Sequence, residues 1–109
     1  MANIVGLNTP QIDIGQLGSA YLADVAAFKP PVGKVVVAVL SLDDATKFTA
    51  LTPSNGEHAY AGTVTVADAN GTNADVIPNT ETFPKGVTLY GRWTGIQLAA
   101  GAVIIYFGQ

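Results

Sequence analysis

Short segments with β-strand character, separated by turn-forming residues, restrict the fold of this chain more than any other feature. Residues 35–42 are β-branched and apolar on both faces, which predicts a strand that is covered on both sides. Residues 62–66 alternate threonine and valine, as a half-buried antiparallel strand does, and residues 87–93, 95–98 and 102–107 are further strand candidates. About seven short strands, with a turn roughly every eight to twelve residues, predict an all-β fold: a small antiparallel β-sandwich or barrel.

Residues 1–18 are predicted to form an extended N-terminal arm, which precedes a single β domain at residues 19–109. Glycine and proline interrupt every longer pattern within the arm. Its apolar side chains need a partner surface, either in the domain or in a neighbouring copy; they are Ile4, Leu7, Ile12, Ile14 and Leu17. Residues 19–28 fit both helical and alternating spacings, but Pro30 and Pro31 prevent a helix from continuing, so a strand is favoured.

The composition is poor in charge, and this limits the partners that the chain can have. Only 12% of the 109 residues are charged, against roughly 25% in ordinary soluble domains, which lowers the cost of burying a large area against neighbours. A net charge of −3 argues against direct binding of nucleic acid. The absence of cysteine excludes disulfides, thiolate zinc sites and thiol nucleophiles.

Neither a membrane span nor a secretory signal is predicted. The longest purely apolar runs, residues 35–40 and 102–107, are far shorter than the roughly 20 residues that a spanning helix needs. The N-terminus has no basic residue and no sustained apolar stretch, so we expect no secretory signal.

The polar residues form no convincing catalytic arrangement. His58 is the one histidine, and Glu57 could orient it as a general base only if the segment loops, because neighbours on a strand point to opposite faces. Asp43 and Asp44 are adjacent and so do not face each other across a substrate; Asp44 is expected to end the long strand in an Asx-type turn. We therefore expect no enzymatic activity, no catalytic residues and no cofactor.

A calcium loop is the one metal site to weigh. Residues 68–75, from Asp68 to Asp75, carry alternating oxygen-bearing side chains beside a glycine, as calcium loops do. The spacing differs from that of an EF-hand, and a hairpin loop turning at Asn70 and Gly71 explains the same residues. The hairpin is the favoured interpretation, and no metal site is predicted.

Strand alternation divides the aromatic residues near the C-terminus between two faces. Trp93 shares a face with Leu89 and is expected to lie in the core. Tyr90 and Arg92 share the opposite face and are the better candidates for a partner interface, in which tyrosine and arginine are enriched.

Residues 83–106 resemble the ending of small structural proteins of tailed bacteriophage particles. A Pro-x-Gly turn leads into a strand with Tyr-Gly-Arg and an aromatic residue, and a Leu-Ala-x-Gly hairpin and an apolar strand with a tyrosine follow. Residues 33–39 and 42–52 are also similar to that family. The resemblance covers about half of the chain, and its motifs describe strands and turns.

This resemblance implies a non-enzymatic virion component, specifically a capsid decoration (cement) protein that stabilises the head by bridging capsid subunits. The implied partners are the major capsid protein or other virion subunits, together with further copies of the chain, a trimer being favoured. A tail or fibre protein remains an alternative. So does an adhesin-like carbohydrate-binding module that uses Tyr60, Tyr90, Trp93 and the loop at residues 68–75.

Overall fold

The chain folds into one antiparallel β-sheet. The computed structural model describes residues 17–54, 60–64 and 70–109, and these contain five strands and no helix. The strands are β1 (Ser19–Leu22), β2 (Val35–Ser41), β3 (Lys47–Pro53), β4 (Thr88–Ala100) and β5 (Val103–Gly108), arranged in the order β1-β5-β2-β4-β3. The all-β class predicted from the sequence is confirmed.

Strand β4 reverses its direction within its own length. Its first residue, Thr88, pairs with Leu40 near the end of β2. Just beyond its last residue, the carbonyl of Ala102 accepts a hydrogen bond of 2.9 Å from the N–H of Leu42. A straight strand of this length would hold its two ends about 43 Å apart, so β4 must fold back on itself.

The reversal divides the sheet into two halves, which pair with different strands. Residues 88–93 of β4 pair with β2, whereas residues 93–100 pair with β3. We call β1, β5, β2 and residues 88–93 the first half of the sheet, and residues 93–100 with β3 the second half. The core cluster draws side chains from both halves: Val36, Val39, Phe48, Leu51, Trp93, Ile96, Leu98, Val103, Ile105 and Phe107.

Trp93 lies where the two halves meet and is buried, with 2% of its surface exposed, as predicted. Its indole N–H donates a hydrogen bond of 2.8 Å to the carbonyl of Ala61. The ring also covers Gly91, where a Cβ atom would lie only 2.7 Å from Cζ2 of the tryptophan. Any larger residue at position 91 would therefore displace the ring that fills the bend.

Two buried hydroxyl groups join the loops at the Ser41 end of the sheet. Oγ of Ser41 and Oγ1 of Thr46 lie 2.9 Å apart, and both side chains are almost fully buried. The carbonyl of Asp43 lies within hydrogen-bond distance of each hydroxyl, at 2.9 and 3.2 Å, and that of Phe83 lies 3.3 Å from Ser41. This hydroxyl pair links the β2–β3 connection to the segment that precedes β4.

Two of the predicted strands differ in the structure. Residues 95–98 are not a separate strand but continue β4. Residues 61–64 form bends rather than strand, and Gly62 lies against the backbone of β3, where a Cβ atom would clash with the Leu51 carbonyl oxygen. Residues 65 and 66 of that predicted strand lie outside the described residues.

Three local predictions also need correction. Within residues 19–28 only β1 is strand; the side chain of Asp24 accepts from the N–H of Ala26, and Phe28 forms a single bridge to Ile96. The Asx-type turn after β2 is made by Asp43, whose carboxylate accepts from the N–H of Ala45 at 2.9 Å. The expected hairpin at Gly101 is a connection between strands that do not pair, because β2 lies between β4 and β5.

Candidate interaction surface

The outer face of the first half carries two rows of side chains that run across four strands. In one row, the register places Ser19, Tyr106, Ala38 and Tyr90 side by side. In the next, it places Tyr21, Ile104, Leu40 and Thr88 side by side. The large residues of the two rows form what we call the aromatic face: Tyr21, Leu40, Tyr90, Ile104 and Tyr106.

The aromatic face is open to solvent in the described part of the chain. Tyr21 and Tyr90, on the outer strands of the two rows, each expose 65% of their surface. Ile104, Leu40 and Tyr106 are half-buried between them. Ala38 is fully covered, because the larger side chains on the two neighbouring strands leave no room around its methyl group.

No acidic side chain of the described residues lies on this face. The described acidic residues are all in connections outside the five strands: Asp24, Asp43, Asp44, Asp75 and Glu81. Arg92, which follows Tyr90 by two residues on β4, is half-buried, and its guanidinium donates to the backbone oxygen of Gln109. The described strands therefore bring apolar side chains and no acidic side chain to this face, and the Arg92 guanidinium beside it is already bonded to Gln109.

The outer face of the second half differs in chemistry. Its exposed strand residues are small or hydroxyl-bearing: Thr49, Thr52, Thr94 and Ala99. Lys47, at the start of β3, adds a charge to this half. Such a surface is typical of the solvent side of an antiparallel sheet. The aromatic face therefore differs from the outer face of the second half in its large apolar side chains.

The predicted interface residues fall into three groups. Tyr90 and Arg92 lie on or beside the aromatic face. Leu17 does not, because its side chain packs against the core and its carbonyl accepts a hydrogen bond of 2.9 Å from Nζ of Lys34. The remaining four, Ile4, Leu7, Ile12 and Ile14, lie outside the described residues.

Four members of the aromatic face were missed by reasoning from the sequence: Tyr21, Leu40, Ile104 and Tyr106. Tyr21, Ile104 and Tyr106 alternate with buried or half-buried neighbours on β1 and β5. That alternation was the available signal for the outward side of β5, whereas the pairing of β1 with β5 depends on the register of the folded sheet.

The structure gives little support to the carbohydrate, calcium and general-base sites considered from the sequence. Trp93 is buried, and Asp75 is exposed in a connection where Gly71 and Asn73 both adopt positive φ angles, of 93° and 64°. His58, Glu57 and Asp68 lie outside the described residues. Within residues 17–54, 60–64 and 70–109, no group of three or more histidine and carboxylate side chains is placed to hold a metal ion.

Comparison with known proteins found no similar protein. The chain matched no protein-family model, no curated protein and no solved structure. In the part of the chain that the structure describes, no helix is long and apolar enough to cross a membrane.

Proposed function

We propose that this chain is a non-enzymatic structural protein of a tailed bacteriophage virion, and that it decorates the capsid. In this role, copies of the chain bridge neighbouring capsid subunits and stabilise the head. Its partners are the major capsid protein or other virion subunits, and it acts as a homo-oligomer, with a trimer as the expected order.

The aromatic face is the observation that carries this proposal. A cluster of Tyr21, Tyr90 and Tyr106 around two aliphatic side chains is the composition found at the centre of protein–protein interfaces. A contiguous apolar patch on a small domain marks a surface that another molecule covers. A protein that works by being packed between subunits needs such a surface, whereas an enzyme needs convergent reactive groups.

The resemblance of residues 83–106, 33–39 and 42–52 to phage structural proteins is the reason for proposing that the assembly is a phage virion. These segments include most of β2, β3, β4 and β5, and the family uses them as structural elements. The prediction of about seven strands in a sandwich or barrel belongs to the same proposal. One of its strands, at residues 62–66, is replaced by bends at residues 62–64, and its residues 65 and 66 lie outside the described residues.

Co-sedimentation with purified phage particles tests the proposed function. The intact chain is mixed with heads that lack decoration and, separately, with isolated tails, and each mixture is centrifuged through a sucrose cushion. We expect the chain to pellet with heads at a fixed ratio to the capsid subunit and to remain in the supernatant with tails. Binding to tails alone would support a tail or fibre role instead, and binding to neither would contradict a virion role.

The contribution of the arm is tested in the same assay. A chain that begins at Leu17 keeps the contacts of that residue with the core and with Lys34, so circular dichroism should show an unchanged β-sheet signal. We expect this chain, and a full-length variant with Ile12→Ser and Ile14→Ser, to lose binding to heads or self-association. If both bind and associate as the intact chain does, the arm has no part in assembly.

Carbohydrate binding is a second candidate, favoured by the exposure of Tyr21 and Tyr90 on one flat face, since sugar rings stack on aromatic side chains. The binding site would then be the aromatic face rather than Trp93, which is buried. Isothermal titration of the chain with host surface polysaccharide tests this candidate. Heat of binding that is lost in a Tyr90→Ala variant would support it, and the absence of heat with the intact chain would exclude it.

A further inference from the structure

We propose that the aromatic face receives the N-terminal segment, residues 4–14, of a neighbouring copy. This inference deepens the proposed function, because it names the surface on which the arm of one copy acts. It rests on two independent properties of the chain: the chemistry of an open sheet face and the chemistry of residues 1–16.

The face and the segment match in polarity. The aromatic face is an apolar surface to which the described strands bring no acidic side chain. Residues 1–16 contain the aliphatic side chains Ile4, Leu7, Ile12 and Ile14 and a single charged side chain, Asp13. Burying these aliphatic groups against the tyrosines removes apolar area from water on both sides.

The dimensions also match. Three strand spacings separate β1 from β4, so the aromatic face is about 14 Å wide. About five residues of extended chain cross that width, and the whole of residues 1–16 could reach at most about 53 Å. The arm is therefore long enough to leave one domain and to cross the face of another.

The position of Leu17 favours a neighbouring copy over the same chain. The Leu17 side chain packs against the core, on the inner side of the sheet, and the carbonyl of Gly18 accepts from the N–H of Phe107 at 2.9 Å. Both residues are thus held at the start of β1. To reach its own outer face, the segment would have to turn back over the sheet directly before Leu17, whereas docking on a neighbouring copy requires no such turn.

Disulfide trapping tests the inference with purified protein and without particles. Because the chain has no cysteine, each thiol can be placed alone. One full-length preparation carries Ile14→Cys and a second carries Tyr90→Cys, and the two are mixed in a glutathione redox buffer. The matched control replaces the second preparation with Val32→Cys, at a residue that is fully exposed and lies outside the strands that carry the aromatic face. Tyr21→Cys provides a second position on the face, should Tyr90→Cys fold poorly.

We expect the mixed dimer of the Ile14→Cys and Tyr90→Cys chains to form at least about tenfold faster than the Val32→Cys control, because docking raises the effective concentration of the two thiols. Equal rates for the face positions and the control would overturn the inference. A third preparation carries Ile14→Cys and Tyr90→Cys in one chain, and a disulfide that forms within this chain but not between the single-cysteine chains would also overturn the inference. Since no particles are present, failure here leaves the head-binding result untouched, and loss of head binding leaves this result untouched.

Discussion

The buried hydroxyl pair at the end of the sheet allows a quantitative prediction about stability. A Thr46→Val substitution keeps the shape of the side chain and removes only the hydroxyl group. That group lies 2.9 Å from Oγ of Ser41, 3.2 Å from the Asp43 carbonyl and 3.5 Å from the Ala102 carbonyl. Removing it therefore tests whether this polar contact holds the loops together.

The expected loss follows from which groups keep a partner. Ser41 can still donate to the Asp43 carbonyl at 2.9 Å, and the Ala102 carbonyl still accepts from the N–H of Leu42 at 2.9 Å. No acceptor is left wholly without a donor, so the cost is near that of one to two ordinary hydrogen bonds. We expect the free energy of unfolding to fall by about 1–2 kcal/mol.

Urea denaturation followed by tryptophan fluorescence measures this loss, because Trp93 is the single tryptophan and is buried. The control is Thr49→Val, the same chemical change at an exposed position on β3, which should alter the free energy by no more than about 0.5 kcal/mol. A Ser41→Ala variant and the double variant complete the cycle, and the double should cost less than the sum of the singles. If Thr46→Val is as stable as the intact chain, the hydroxyl pair does not stabilise the fold.

Three further substitutions test other parts of the structure. Gly62→Ala should lower the free energy of unfolding by about 1–3 kcal/mol, because the added Cβ would clash with the Leu51 carbonyl oxygen. Urea denaturation measures this loss, and an unchanged midpoint would contradict the packing of Gly62 against β3. Trp93→Phe should lower the melting temperature, since it removes the donor to the Ala61 carbonyl and part of the ring at the bend; calorimetry that shows no decrease would contradict the position assigned to the indole. Gly101→Ala should destabilise the chain in the same assay, because φ is 88° and the added Cβ would lie 2.6 Å from Oγ1 of Thr46; a stabilising effect would be inconsistent with this turn.

Local alternation in the sequence predicted the faces of individual strands. It separated Tyr90 and Arg92 from Leu89 and Trp93, and the structure buries Trp93 while leaving Tyr90 exposed. This works because successive side chains of a strand point to opposite sides whatever its partners are.

The reversal of β4 was not predictable in the same way. A glycine beside an alternating segment is compatible with a strand end and with a bend inside one strand, and the sequence predicted one strand that ends at Trp93 and another that begins at Gly95. The distinction depends on tertiary contacts, here the packing of Trp93 over Gly91 and the hydrogen bond to Ala61. The aromatic face was only partly predicted for a related reason: Tyr21 and Tyr106 come close to Tyr90 only through the strand order β1-β5-β2-β4.

Sedimentation velocity of the intact chain and of a Tyr90→Asp variant tests most directly whether this protein works through its aromatic face. Tyr90 is 65% exposed, so the substitution should leave the fold unchanged while it places a carboxylate on the apolar surface. Val32→Asp, at a fully exposed position away from the face, introduces the same charge as a control. We expect the intact chain and the control to sediment as the same oligomer and the Tyr90→Asp variant to sediment as a monomer. A monomeric intact chain, or a Tyr90→Asp variant that associates as the control does, would contradict the account.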